Sequence, residues 1–314
     1  MTDIKPPVIG FVGLGVMGGP MCRNMALKHP GDVIAYDVTE EAFQSIEGTK
    51  ASRAGSLAEL ADRAEIIFLS LPGGPQVERV CLGEEGLTQG LAGGNHKPGI
   101  IVDLSTTTVE SARTVAKMLS QQGVKFADAP VARTREAAQR GELSIMVGAS
   151  KSLFQDVEPL LRYIGTDVTH CGEVGAGQVV KLANNALVFE NTLALAEMMV
   201  VAERAGVAPD VLLDAVSKGS GDSFALRNHG YKSLLPRSYP EKSFPSEYAV
   251  KDLNYVLALA EQVGVQAHIA DNARRYYQAT AENGWGGRYY PAVREIIDAG
   301  IDPLKEADSE GGEQ

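Results

Sequence analysis

From Gln178 to Ala205 the chain contains neither glycine nor proline, and alanine, leucine, methionine and glutamate dominate. Such a run predicts one long helix. At a rise of 1.5 Å per residue it spans roughly 40 Å, and the rest of the chain has to accommodate it. Beyond its first two turns it is apolar almost all round: Leu187, Val188, Phe189, Leu193, Leu195, Met198, Met199, Val200 and Val201. That pattern predicts a helix buried on all sides. The first two turns carry Lys181, Asn184 and Asn185. Lys181 and Asn185 are four apart and share a face. An ammonium at the mouth of a buried helix is costly unless it has a task. One reading makes Lys181 a catalytic acid/base on a helix that joins two domains. The other lets it snorkel to solvent with only its stem buried.

Ahead of this helix, strands and helices alternate. Val8–Val12, Asp32–Tyr36, Ile66–Leu71 and Ile100–Leu104 are short apolar runs closed by turn residues. They read as buried strands of a parallel sheet. Val124–Phe126, Leu143–Val147 and Asp167–His170 read as later strands, and helices fill the intervals, one beginning near Pro75 and one capped by Ser105–Thr108. The pattern predicts an α/β doubly wound Rossmann-type sheet. After Gly177 strand patterns vanish. Val211–Val216, Glu247–Val263, His268–Glu282 and Val293–Asp298 read as helices, and Ser217–Pro245, rich in serine, glycine and proline, as loops around a site. The expected domains are 1–173, an all-α domain 174–300, and a disordered tail 301–314.

The formal charge of -11 argues against nucleic acid and anionic membranes as partners. Glu190 and Glu197 interrupt the most apolar helix, which argues against a membrane span. The three cysteines are far apart and odd in number, as expected of free thiols in a reducing compartment, and no metal-ligand spacing appears among them and the five histidines. Pro6 and Pro7 break the N-terminus and a strand follows at once, so no signal peptide is expected and the cytoplasm is the expected location.

Gly13, Gly15 and Gly18, with Leu14, Val16 and Met17 between them, follow the first strand and open a helix. In that context G-x-G-x-x-G predicts a dinucleotide site. Gly13 allows the tight turn, Gly15 the approach of the pyrophosphate, and Gly18 close packing of helix on strand. The phosphates would lie at the helix N-terminus. Asp37 ends the second strand, where an acid holds the adenine ribose hydroxyls. Val38, Thr39, Glu40 and Glu41 follow it with no arginine. A 2′-phosphate would meet negative charge there, so NAD is expected rather than NADP. Leu71, Pro72 and Thr106 end later strands on the same edge and are further candidates for cofactor contact.

Four stretches, in order, resemble the 3-hydroxyisobutyrate dehydrogenase family of β-hydroxyacid dehydrogenases. They are Gly10–Gly18, Asp128–Val131 with Gly141–Gly148, Gly175–Asn185, and Lys251–Leu253. The resemblance covers about Val8 to Leu259. It implies a Rossmann domain, a long interdomain helix, a helical C-terminal domain and an active site in the cleft between them. It implies Lys181 as general acid/base, Asn185 as the substrate-orienting group, and Lys251 with Asp252 closing the site, Lys251 against both substrate and cofactor. Small acidic hydroxyacids or aldehydes would be the substrates. Independently of the resemblance, the apolar run Ala186–Val201 is more than one small domain needs to cover, so a homodimer or homotetramer is expected.

One departure stands out. Where most of the family reads Ser-Gly-Gly, this chain has Ala132, Arg133 and Thr134. Arg133 offers a planar fork suited to an oxyanion; the other reading is a surface salt-bridge residue, since Arg135 and Arg140 show that arginine is common in this stretch. A Gly-Arg-Thr here is similar to sulfolactaldehyde reductases, where the arginine meets a sulfonate; this chain has alanine for their glycine. The alternatives to a 3-hydroxyacid dehydrogenase are therefore a reductase of sulfonated aldehydes and, from another class, a non-catalytic nucleotide sensor. An imine reductase fits less well, since those enzymes usually replace the lysine.

Overall fold

A computed structural model describes residues 5–88, 99–241 and 243–305. The chain divides into two compact units, Met1–Lys181 and Leu182–Gln314. The division falls inside the long helix, eight residues beyond the boundary expected at 173/174. Most of the tail expected to be disordered, 301–314, lies outside the described residues.

The first unit runs β1 (Ile9–Val12), α1 (Gly18–Lys28), β2 (Val33–Tyr36), a 3-10 turn (Glu40–Ile46), β3 (Ser52–Arg53), α2 (Leu57–Arg63), β4 (Ile66–Leu69), α3 (Gly74–Leu82), β5 (Ile100–Asp103), α4 (Val109–Ser120), β6 (Lys125–Asp128), β7 (Val131–Ala132), α5 (Arg135–Arg140), β8 (Leu143–Gly148), α6 (Lys151–Leu161) and β9 (Gly165–Gly172). The strands form one sheet in the order β3-β2-β1-β4-β5-β6-β8-β7, with β9 on β8. All four residues of β1 and all four of β4 are buried. Their side chains alternate between two cores, one on each face. Ile9, Phe11, Phe68 and Val102 lie on one side, and Val12, Ile67, Leu69 and Ile101 on the other. Strands covered on both faces are why the sequence shows unbroken apolar runs rather than alternation.

β1, β2, β4, β5 and β6 run parallel, so their carboxyl ends share one edge. The sheet is predominantly parallel, as expected, with a local reversal at β8, which pairs antiparallel with β6 and β7. A parallel return needs a crossover of a dozen residues or more, and only residues 133–142, the short α5 among them, separate β7 from β8.

α7 (Ala176–Arg204) begins in the first unit and continues into the second. The second unit is otherwise α8 (Pro209–Val216), α9 (Ser246–Gln262), α10 (His268–Thr280) and α11 (Val293–Asp298), with π-helical turns at Leu226–Leu234 and Ala281–Trp285. The first of these turns replaces part of the loop expected over Ser217–Pro245. Phe189 of α7 forms the hub of the core, with Tyr277 and Tyr290 edge-on to it and the Tyr277 hydroxyl donating to its carbonyl at 2.9 Å. The expectation that α7 is buried all round needs correcting. Phe189, Ala196 and Met199 face the core, but Leu187, Met198 and Val201 are 59%, 47% and 54% exposed. By length and composition alone α7 could cross a membrane; here its Ala186, Phe189, Ala196 and Met199 are core of the second unit.

Candidate active site

The glycine turn after β1 has the shape that the sequence demands. Gly13 has φ 94°, and a side chain there would strike the Ser70 carbonyl. A side chain at Gly18 would strike the Gly13 carbonyl. Gly15 faces open space, leaving room for a group to approach the backbone. No acidic residue sits in the first turn of α1, so its positive end is left for an anion. Leu14 is buried, while Val16 is 46% exposed. Asp37 stands beside this turn: its Oδ2 accepts from the Leu14 amide at 2.6 Å and its Oδ1 from the Thr39 amide at 2.7 Å. Each oxygen keeps a lone pair for a hydroxyl. Along the same edge the Leu71 amide donates to Ser105 Oγ at 2.9 Å, and Pro72 and Thr106 follow β4 and β5 at the ends of their connections. These residues fit a dinucleotide laid across the edge.

Lys181 lies in the second turn of α7 and is only 8% exposed. Two devices hold that turn to the sheet. Asp128, at the end of β6, accepts from the Gly175 amide at 2.6 Å and the Gln178 amide at 2.8 Å. Gln178, itself fully buried, donates from Nε2 to the Ser105 carbonyl at 2.9 Å and accepts at Oε1 from the Thr107 amide at 3.0 Å. The lysine-bearing helix and the loop after β5 are thereby one hydrogen-bonded body. Sequence reasoning gave Asp128 and Gln178 no role. The available signals were an acid ending the apolar strand Lys125–Asp128 and a glutamine inside a glycine-flanked helix start.

Asp103 and Asp128 are register partners on adjacent strands and both are buried. Burial pushes the Asp103 carboxyl up to about 7, and the neighbouring Asp128 charge adds to this against hydrogen bonds from Ser105. Burial likewise raises Asp128 to about 6, against the backbone amides that it accepts.

Asn185, one turn on from Lys181, is 4% exposed. In the second unit its Nδ2 donates to Asp252 Oδ2 at 2.6 Å, and its Oδ1 accepts from Asn184 at 3.1 Å. The carboxylate of Asp252 also pairs, through Oδ1, with Lys251 Nζ at 3.1 Å, a charge contact without hydrogen-bond alignment. Lys251 Nζ lies 5.5 and 5.1 Å from the ring centres of Tyr248 and Tyr255. Asp252 thus fixes how Asn185 presents its amide.

The loop Ala132–Thr134 is arranged differently from its expected role. Ala132 is buried in β7. Thr134 caps α5, its hydroxyl accepting from the Ala137 amide at 3.4 Å. Arg133 has φ 87°, a left-handed conformation that favours glycine. Its guanidinium donates to the Glu142 carbonyl at 2.6 Å, Thr166 Oγ1 at 3.0 Å and Asp167 Oδ2 at 2.7 Å. The fork expected to meet an anionic substrate is engaged by this chain's own groups.

Comparison with known proteins gives two family matches. Residues 8–172 match the NAD binding domain of 6-phosphogluconate dehydrogenase. Residues 175–294 match the NAD-binding domain of NADP-dependent 3-hydroxyisobutyrate dehydrogenase. The chain is 32% identical to 2-(hydroxymethyl)glutarate dehydrogenase of Eubacterium barkeri, over 92% of this chain and 94% of the relative. It is 32% identical to 3-hydroxyisobutyrate dehydrogenase of Pseudomonas aeruginosa, over 90% and 93%. Among solved structures, 3-hydroxyisobutyrate dehydrogenase of Mycobacterium tuberculosis with L-serine superposes with a TM-score of 0.81 at 26% identity, covering 93% of this chain and 99% of the other.

Proposed function

We propose, from the premise that the chain belongs to the 3-hydroxyisobutyrate dehydrogenase family, that it oxidises a small 3-hydroxyacid to its semialdehyde, reversibly, with NAD. It is an NAD(P)-dependent oxidoreductase acting on CH–OH groups of small hydroxyacids. The reading as a non-catalytic nucleotide sensor is therefore set aside. The observation that carries the mechanism is a buried lysine one helical turn from a buried, oriented asparagine.

When bound, the nicotinamide accepts or supplies the hydride. Lys181 handles the proton. As a neutral amine its Nζ takes the proton of the substrate hydroxyl during oxidation, and as an ammonium it returns one to the carbonyl oxygen during reduction. Asn185, held by Asp252, orients the substrate oxygens. Lys251 offers a cation to the acidic head group. Asp37, with Val38, Glu40 and Glu41 behind it, favours an unphosphorylated ribose and hence NAD.

A carboxylate substrate is preferred to a sulfonated one because the Arg133 fork is already engaged with Asp167. Steady-state assays of methylmalonate semialdehyde against sulfolactaldehyde, each with NADH and NADPH, test this in wild type and Arg133→Ala. The exposed Arg133–Asp167 pair contributes little, so turnover of the carboxylate substrate is expected to stay within about threefold in the variant. Activity confined to the sulfonated aldehyde and lost with Arg133 would reverse the assignment.

The exposed apolar side chains of α7, continued by Ile269 at 70% exposed on α10, support assembly through the second unit into a homodimer or homotetramer. Solution scattering from a monomer would refute it.

A further inference from the structure

The four residues directly after Asp37 include no arginine, yet the fold supplies one from another strand. β3 pairs parallel with β2, with Arg53 opposite Ala35. Arg53 thus stands at the sheet edge beside the segment that follows Asp37. Its guanidinium lies over the Phe43 ring, 3.9 Å from the centre. Its two terminal nitrogens engage both carboxylate oxygens of Glu40, Nη1 to Oε1 at 2.6 Å and Nη2 to Oε2. The side chains are 51% and 73% exposed, so the pair stands on the open side of the sheet edge.

Three properties of this pair bear on cofactor choice. The guanidinium is preorganised, stacked on an aromatic ring with its fork aligned, and such a fork fits phosphate as well as it fits carboxylate. The strand end at Asp37 is where the 2′ and 3′ oxygens of an adenine ribose are held, so a 2′-phosphate would project toward the Val38–Glu41 segment. Glu40 is the residue of that segment that occupies the fork.

We propose that Glu40 is a specificity-determining residue. By closing the fork of Arg53 it denies a 2′-phosphorylated dinucleotide the guanidinium that would bind it, and so selects NAD over NADP. The inference rests on the reading of Asp37 as the ribose site. The exclusion is then an active feature and does not follow from a missing arginine. An exposed ion pair contributes little stability, so the barrier to a 2′-phosphate is chiefly charge. The phosphate must displace one carboxylate and then lie close to it, near Glu41 and Asp37. Replacing Glu40 by a neutral residue opens the fork and removes one repelling anion in a single step.

The test compares NAD and NADP in wild type, Glu40→Gln, Arg53→Ala and the double variant, by kcat/KM and by dissociation constants from fluorescence quenching. Both side chains are exposed, so the folded protein tolerates the changes. The NADP-to-NAD ratio is expected to rise about tenfold or more in Glu40→Gln, and the gain to vanish when Arg53 is also replaced. A ratio within twofold of wild type in Glu40→Gln, or a gain that survives the loss of Arg53, overturns the role of the pair. The wild-type ratio is read separately. A wild type that prefers NADP defeats the NAD reading however Glu40 behaves, whereas an unmoved ratio in Glu40→Gln defeats only the role given to Glu40.

Discussion

Asp103 ends β5 with no solvent exposure. One oxygen accepts from the Ser105 amide at 2.9 Å, and the other has no hydrogen-bond partner among the described residues. Its carboxyl titrates near 7 in the fold against an ordinary value of 3.8, because burial penalises the charge. The folded chain therefore binds more protons than the unfolded chain between those values, and this group adds stability as pH falls through about 7. At pH 8 the ionised group is a burden. Asp103→Asn should accordingly raise stability at pH 8 by up to about 4 kcal/mol, and the gain should shrink toward pH 5. Denaturant titrations at the two pH values check this, and equal or lower stability of the variant at pH 8 would contradict it. Arg133 teaches a related lesson at the same scale. Its position in the motif suggested substrate, but a residue in left-handed backbone beside Asp167 and Thr166 finds partners that no linear spacing reveals.

At the scale of elements, the first turns of α7 are fixed by a neutral side chain as much as by a charged one. Gln178 satisfies the Ser105 carbonyl and the Thr107 amide away from water. Gln178→Leu keeps the volume and leaves both groups unpaired. Each stranded buried group costs on the order of 1–3 kcal/mol, so a loss of about 2–6 kcal/mol is expected in urea unfolding. The loop carrying Thr106 is loosened with it, so KM for the cofactor should rise as well. Unchanged stability would mean that the clamp is dispensable. The long helix, the buried parallel strands and the glycine turn were legible because each imposes a local pattern. β3 was not legible, since its two polar residues, Ser52 and Arg53, are strand only through pairing with β2. The reversal at β8 was equally hidden, because an apolar run marks a strand but not the direction in which it runs.

Across the whole molecule, the division into a sheet unit and a helical unit and the four motifs were readable before any coordinates. Sequence gave Lys181 and Asn185 as a pair on one helix face, and the structure adds that both are buried and that Asp252 orients the second. Sequence showed that the apolar run Ala186–Val201 exceeds what one small domain covers, and the structure adds that Leu187, Met198 and Val201 are the side chains left uncovered within one chain; hydropathy records what avoids water and not which neighbour covers it. The chemistry assigned to the protein depends on the proton moved by Lys181. The direct measurement is kcat of Lys181→Ala beside its dissociation constant for NAD. The account predicts a fall in kcat of about a thousandfold with cofactor affinity retained; turnover near that of wild type would contradict it.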